Sequence, residues 1–291
     1  MPFDIPIMLL YGPSPDADRR RFVSMKVKAT IVCENCVFHL PGAVAEHGLS
    51  IFMETDRGNY LLDTGQGKAI VNNALVLGLD LRTIKGIIMS HHHWDHTGGL
   101  GPVLDLKGAV DVYAHPDFFK ESYSVTENTV RYIGVPYPRP LLEAKGATFK
   151  FSDEFRPIEP ELWLTGEVPR RTDYELGDQK QVVKSGEGYV KDDLRDDQSV
   201  VIETEKGLLV VLGCCHSGII NTLSYIVEKM GQRHIYAVIG GTHLGPVSDG
   251  QREKSIDALK AFDIEHIGVS HCTGLKTASR LAGEFGDRFF F

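Results

Sequence analysis

The chain has 291 residues, 42% hydrophobic and 24% charged, which supplies enough apolar surface for a core and argues against a disordered or fibrous class. Its formal net charge of −8 disfavours a nucleic-acid binder, because neutralising phosphates needs clustered Lys and Arg. A small anionic substrate held by a few local cations remains compatible with that balance.

In chain order, the first apolar run, Ile5 to Leu10, is broken by Pro6 and has no Lys or Arg before it. It is too short for a secretory core or for the ~20 residues of a membrane span, so neither export nor membrane insertion is expected. Residues 1–24 read as an N-terminal extension and 25–291 as a single domain. Strands are expected over Met25–Val32, Ser50–Glu54, Tyr60–Leu62, Ile84–Met89, Ser199–Glu203, Leu208–Leu212, His234–Ile239 and His266–Val269, all rich in Ile, Val and Leu and bounded by Gly, Asp or Ser. Between them, Ile219, Ile220, Leu223, Ile226, Val227 and Met230 make one helical apolar face, and Ile256, Leu259 and Phe262 a second. The stretch from about 136 to 194 is richer in Pro, Gly and charge and reads as an insertion.

Two segments echo each other. Ser50 to Gly58 (SIFMETDRG) matches Ser199 to Gly207 (SVVIETEKG), each reading as strand, tight turn and second strand. The second strands run into Asp63-Thr64-Gly65 and Gly213-Cys214-Cys215-His216, so a duplicated unit should deliver polar residues to one cleft from two strand ends.

The strongest chemical signal is Ser90-His91-His92-His93-Trp94-Asp95-His96, directly after an apolar strand. Alternation in an extended segment lets His91 and His93 address one ion, while Asp95 and His96 reach a second as the chain turns. His92 and Trp94 should point away, with Trp94 packing. Imidazole and carboxylate suit Zn, Fe or Mn better than Ca or Mg. Later ligands are sought at strand ends: Asp197, His216 with Ser217 as a helix cap, and His271. Four of the five cysteines form the close pairs Cys33/Cys36 and Cys214/Cys215, and three lie beside candidate ligands, which fits a reducing, cytoplasmic compartment. Cys33 and Cys36 are read as strand-end packing.

The His-x-His-x-Asp-His run resembles the signature of the metallo-β-lactamase superfamily. That resemblance implies a four-layer αββα sandwich with mixed sheets, two divalent ions (zinc first, iron or manganese as alternatives), and Asp63 as a brace of the metal loop. His271 is similar to the family's final metal histidine, and His243 to an extra histidine that helps at the reacting phosphate in one branch. Family members usually place a His before the second hairpin and a bridging Asp after it; here Asp197 and His216 stand in exchanged order. The segments around His216, His243 and His271 resemble a branch that includes a dihydropterin–ribofuranosylaminobenzene 5′-phosphate synthase.

The implied function is a metal-dependent hydrolase of a small, phosphorylated or otherwise anionic substrate. The alternative is a pterin-condensing transferase, and a third reading is a metal or redox sensor using Cys214, Cys215 and Cys272. Candidate catalytic residues are Asp63, Asp95 and His243, and candidate substrate contacts are Arg170, Arg171, Ser217 and Thr242. Metal ligands are expected among His91, His93, Asp95, His96, Asp197, His216 and His271.

Overall fold

The two hairpins that echo in sequence fold with one register in two different sheets. A computed structural model describes residues 24–178 and 180–291; the expected N-terminal extension, apart from Ser24, lies outside the described residues. In chain order come β1 (Val27–Cys33), β2 (Ser50–Thr55), β3 (Gly58–Leu62), α1 (Ile70–Val76), β4 (Ile84–Ile88), α2 (Trp94–Thr97), α3 (Leu100–Lys107) and β5 (Val110–Ala114). Next are β6 (Ser122–Val125), β7 (Val130–Tyr132), α4 (Arg139–Ala144), β8 (Ala147–Phe151), β9 (Arg156–Glu159), β10 (Leu162–Leu164), β11 (Gln181–Ser185) and β12 (Gly188–Lys191). Last are β13 (Val200–Thr204), β14 (Gly207–Leu212), α5 (Ile219–Met230), β15 (Ile235–Gly241), α6 (Asp249–Leu259), β16 (Ile264–Ser270), α7 (Leu275–Phe285) and β17 (Phe289–Phe290).

Ile51 pairs with Leu62 in the first hairpin and Val200 with Val211 in the second, a constant offset of 149 residues (200 − 51 and 211 − 62). The turns match as well, with the Thr55 hydroxyl donating to the Gly58 carbonyl and Thr204 to that of Gly207. One hairpin lies in a six-stranded sheet ordered β1-β2-β3-β4-β5-β8, the other in a seven-stranded sheet ordered β17-β16-β15-β14-β13-β10-β9. Both hairpins continue into parallel neighbours, β3 with β4 and β14 with β15.

Alternation along the strands sorts side chains into three apolar layers. Ile51, Met53 and Leu62 meet Val200, Ile202 and Val211 between the two sheets. Phe52 and Leu61 face outward with Ile70, Leu100 and Val103 of α1 and α3, while Val201 and Val210 face Ile219, Leu223 and Ile226 of α5. Helix layer, sheet, sheet and helix layer thus make the expected αββα sandwich. Strands buried on both faces read as continuous apolar runs, which is why these stood out in the sequence.

The stretch 136–194 is divided among all three sheets rather than set apart. It gives β8 to the first large sheet and β9 and β10 to the second. Its strands β11 and β12 join β6 and β7 in a small sheet ordered β12-β11-β6-β7. Pieces of three to five residues are too short for a periodic pattern to show. Among the described residues, no helix is long and apolar enough to cross a membrane.

One helix start differs from the expectation. The cap of α5 is Gly218, at φ +95°, with no side-chain cap bond, and not Ser217. The first amides of α5 are taken by Glu175, whose carboxylate accepts from Ile220 N at 2.9 Å and Asn221 N at 2.8 Å. That end of the helix therefore already holds an anion from the chain itself.

Candidate metal centre

Parallel strands β3 and β4 end side by side, which brings Asp63 beneath the loop that begins at Ser90. Asp63 is fully buried; its Oδ1 accepts from Ser90 N at 2.8 Å and its Oδ2 from Ser90 Oγ at 2.6 Å. The same Oδ2 lies 2.7 Å from His96 Nδ1, so the Nε2 edge of His96 is turned into the cleft. Asp63 thus ties the start of this loop to one candidate ligand and orients the His96 ring.

Above it, donors converge. One ligand atom each from His91, His93 and His216 lies within 4.8 Å of the others. His47, Asp95 and His271 form a second such group, and His91, His96 and Cys214 a third. His96 Nε2 is 3.2 Å from His271 Nε2 and 3.1 Å from Cys214 Sγ, which joins the groups into one centre. Several buried nitrogens here have no hydrogen-bond partner: Nε2 of His93 and both ring nitrogens of His216 and His243. Buried imidazoles are rarely left unpaired, and an ion is the partner this donor chemistry fits. Burial and neighbouring imidazoles push His91, His93 and His216 well below the usual histidine range, into the neutral form that binds metal. Burial alone would raise Asp95, but His96 and His271 outweigh it and hold the carboxylate ionised. Burial likewise lowers His96, yet Asp63 and Asp95 bring it up to about 9.

Asp63, Cys215, His243 and His271 all adopt left-handed backbone, at φ +54°, +61°, +50° and +51°. Such conformations cost non-glycine residues energy and concentrate where surrounding structure imposes them.

The remaining candidates fall into two sets. His243 packs on His216 with ring centroids 4.0 Å apart, and both line a 530 Å³ cavity together with His93, Asp95, Cys214 and His271. Asp197 sits beside His216, but its Oδ2 accepts from Ser217 N at 2.8 Å, while Oδ1 is buried without a partner. The Arg170 guanidinium donates to the carbonyls of His216 at 2.9 Å and Asp193 at 2.7 Å. Arg171 pairs with Glu228, and Thr242 bonds the Thr273 hydroxyl at 3.0 Å. Arg170, Arg171, Ser217 and Thr242 do not line the cavity.

Trp94 does line it, beneath the Arg131 guanidinium at 5.8 Å, and so is more than packing. Sequence reasoning also passed over Glu34 and Asn35. The Glu34 carboxylate accepts from His271 N, and Asn35 Oδ1 lies 2.8 Å from His271 Nδ1. These two residues orient the last histidine from between Cys33 and Cys36, a spacing that drew attention to the cysteines instead.

His92 points into the protein, where a buried charge network holds it. Its Nδ1 is 2.7 Å from Asp196 Oδ2, and Lys120 donates to Asp192 and Asp196 at 2.8 Å each. The small sheet is thereby tied to the metal loop through Lys120 and Ser122, whose hydroxyl lies 2.6 Å from His92 Nε2. Burial would raise the Asp196 carboxyl, but His92 and Lys120 outweigh it and hold it well below the usual carboxylate range. A depressed folded value means stabilisation present above the unfolded pKa of about 4 and lost as pH falls toward the folded one. Asp196→Ala should cost about 3 kcal/mol at pH 7 by removing the carboxylate against the buried His92 ring and one of the two that hold Lys120. Urea denaturation at pH 7 and pH 3 should show that deficit shrinking on acidification; a pH-independent deficit would assign the loss to packing alone.

Comparison with known proteins agrees with this architecture. The family model for the metallo-beta-lactamase superfamily matches residues 44–177. The 7,8-dihydropterin-6-methyl-4-(beta-D-ribofuranosyl)-aminobenzene-5′-phosphate synthase of Methanocaldococcus jannaschii is 31% identical over 256 residues, spanning 84% of this chain and 87% of that protein. The solved structure of Tm1679, a metal-dependent hydrolase of the beta-lactamase superfamily, superposes with a TM-score of 0.78 at 29% identity, over 91% of this chain and 95% of that one. YhfI from Bacillus subtilis, a metallo-beta-lactamase fold protein, shares the fold with a TM-score of 0.53 at 14% identity, over 91% and 95% of the two chains. On its sequence, its layers and its convergent histidines, the chain belongs to the metallo-beta-lactamase superfamily, whose fold implies binding of divalent metal.

Proposed function

We propose that the protein is a metal-dependent hydrolase of a small anionic substrate, working at a dinuclear centre. The observation that carries this reading is the convergence of ligand atoms from His91, His93 and His216 in one group and from Asp95, His96 and His271 in another, at the floor of a cavity lined by His93, Asp95, His216 and His271, with buried nitrogens of His93 and His216 that lack protein partners. The first three residues would hold one ion and the second three the other, zinc being the metal best matched to this donor set. Bound there, two ions supply Lewis acidity at a phosphoryl or carbonyl oxygen and lower the pKa of water. Asp63 keeps His96 aimed at the cleft, Asp95 stays ionised, and His243 faces the cavity with unpartnered nitrogens, suited to move a proton at the leaving group. All five cysteines are free thiols, which supports a reducing, cytoplasmic setting.

A second reading is the transferase: the 31% identity to the Methanocaldococcus synthase extends over most of both chains. The same Lewis acidity would serve displacement by an amine in place of water. Untagged protein purified without chelator should carry about two ions per chain by elemental analysis, and chelation should abolish turnover. Cleavage of aryl phosphate esters that stops with the metal supports the hydrolase. Formation of the dihydropterin–aminobenzene compound from its two halves, without ester cleavage, supports the transferase. Full activity without metal would refute both.

A further inference from the structure

The small sheet presents a polar row to the cavity. Gln181 pairs with Ser124 across β11 and β6, and Ser124 pairs with Arg131 across β6 and β7. Directly paired residues point to the same face of a sheet, and all three line the 530 Å³ cavity. The alternate row, Val182, Tyr123 and Tyr132, does not line it, and the two tyrosine rings contact each other at 5.5 Å. The sheet thus turns one face to the candidate metal centre and the other away.

Each end of the row lacks something. Gln181 is buried, and its side-chain Oε1 has no hydrogen-bond partner. An unmatched buried acceptor costs about 1–3 kcal/mol unless a donor is brought to it. At the other end Arg131 is exposed, lies over the Trp94 ring, and forms no ion pair among the described residues. Adjacent strands are about 4.8 Å apart, so the three positions span roughly 10 Å, the length of one aromatic ring with a substituent at each end.

We propose that Gln181, Ser124 and Arg131 form a recognition wall for the non-reacting part of the substrate. The class it fits is a flat aromatic molecule with an anionic group at one end and an N–H donor at the other. Arg131 grips the phosphate or carboxylate with two hydrogen bonds and Ser124 adds a hydroxyl. Gln181 Oε1 accepts from the N–H, and the Trp94 ring backs the aromatic plane. The wall rests on reading this cavity as the substrate site, and it assigns specificity to the piece of the chain between the two hairpins.

The test separates the wall from the metals by using chelator-treated, metal-free protein. Trp163→Phe leaves Trp94 as the only one of the chain's two tryptophans, so its emission reports binding. Titration with 4-aminophenyl phosphate, phenyl phosphate and 4-aminobenzoate should give saturable changes, with the amino compound preferred to phenyl phosphate. The tighter of the two amino-bearing anions identifies the anionic group. Arg131→Met should weaken binding of the anions by about tenfold or more, and Arg131→Lys should restore part of it. Gln181→Leu should abolish the preference for the amino group and leave phenyl phosphate affinity unchanged. Equal affinities in the parent and Arg131→Met, or a preference that survives Gln181→Leu, would overturn the wall. Turnover by metal-loaded protein is scored separately: ester cleavage indifferent to both substitutions sinks the wall and keeps the hydrolase, whereas probe binding without any metal-dependent turnover does the reverse.

Discussion

His216→Ala should remove about one metal ion per chain and reduce metal-dependent turnover by well over 100-fold. The histidine stands in the turn between β14 and α5 with both ring nitrogens buried and unpartnered, its ring centroid 4.8 Å from His91 and 4.9 Å from His93. Losing one of three protein ligands exceeds the 10–100-fold typical of removing a partner that only orients a ligand. Asp197→Ala is the informative comparison. Asp197 holds the backbone of Ser217, the residue after His216, so its loss should loosen the ion by about 10–100-fold and leave occupancy intact at saturating metal. Elemental analysis and competition with a chelator distinguish the two. Equal loss of an ion from both variants would make Asp197 a ligand through its unpartnered Oδ1, as the exchanged order of the two residue types in the sequence allows.

Asp63→Ala should damage stability and metal binding together. Three groups depend on its carboxylate: the Ser90 amide, the Ser90 hydroxyl and His96 Nδ1. Stranding them in a fully buried position should cost about 3 kcal/mol, read from urea denaturation of the metal-free protein. Metal affinity should fall by about 10–100-fold, because nothing then selects the tautomer that offers His96 Nε2 to the cleft. Asp63→Asn separates the two effects. An amide keeps the shape and can still accept from Ser90 N, so stability should recover in part. It cannot present two acceptor oxygens, so affinity should remain low. An Asn variant with parental metal affinity would show that Asp63 serves the fold alone.

Local pattern made the hairpins, the helix over Ile219–Met230 and the His-x-His-x-Asp-His loop legible, because each depends on neighbours within a few residues. Strands buried on both faces carry unbroken apolar runs, and a metal loop carries its ligands in one string. The internal echo went further: equal registers at an offset of 149 residues follow from similar sequences. Sequence pattern alone therefore determined the hairpins and the string of candidate ligands, while the αββα sandwich was what the resemblance to the metallo-β-lactamase superfamily implied.

Tertiary structure decided the roles that depend on a partner from far along the chain. Asp196 and Asp197 are adjacent and chemically identical, yet one lies against His92 and Lys120 and the other against the turn at Ser217. Arg170 and Arg171 looked free in a loop, but carbonyls of His216 and Asp193 engage one and Glu228 the other. The expected cap of α5, Ser217, gives way to Glu175, from 45 residues upstream of Ile220, whose carboxylate takes the first amides. Arg131, in a three-residue strand with no pattern of its own, faces the cavity only because β7 pairs with β6. A charged side chain is satisfied by whatever the fold brings within about 3 Å of it, and that distance is set by packing between sheets, not by spacing along the chain.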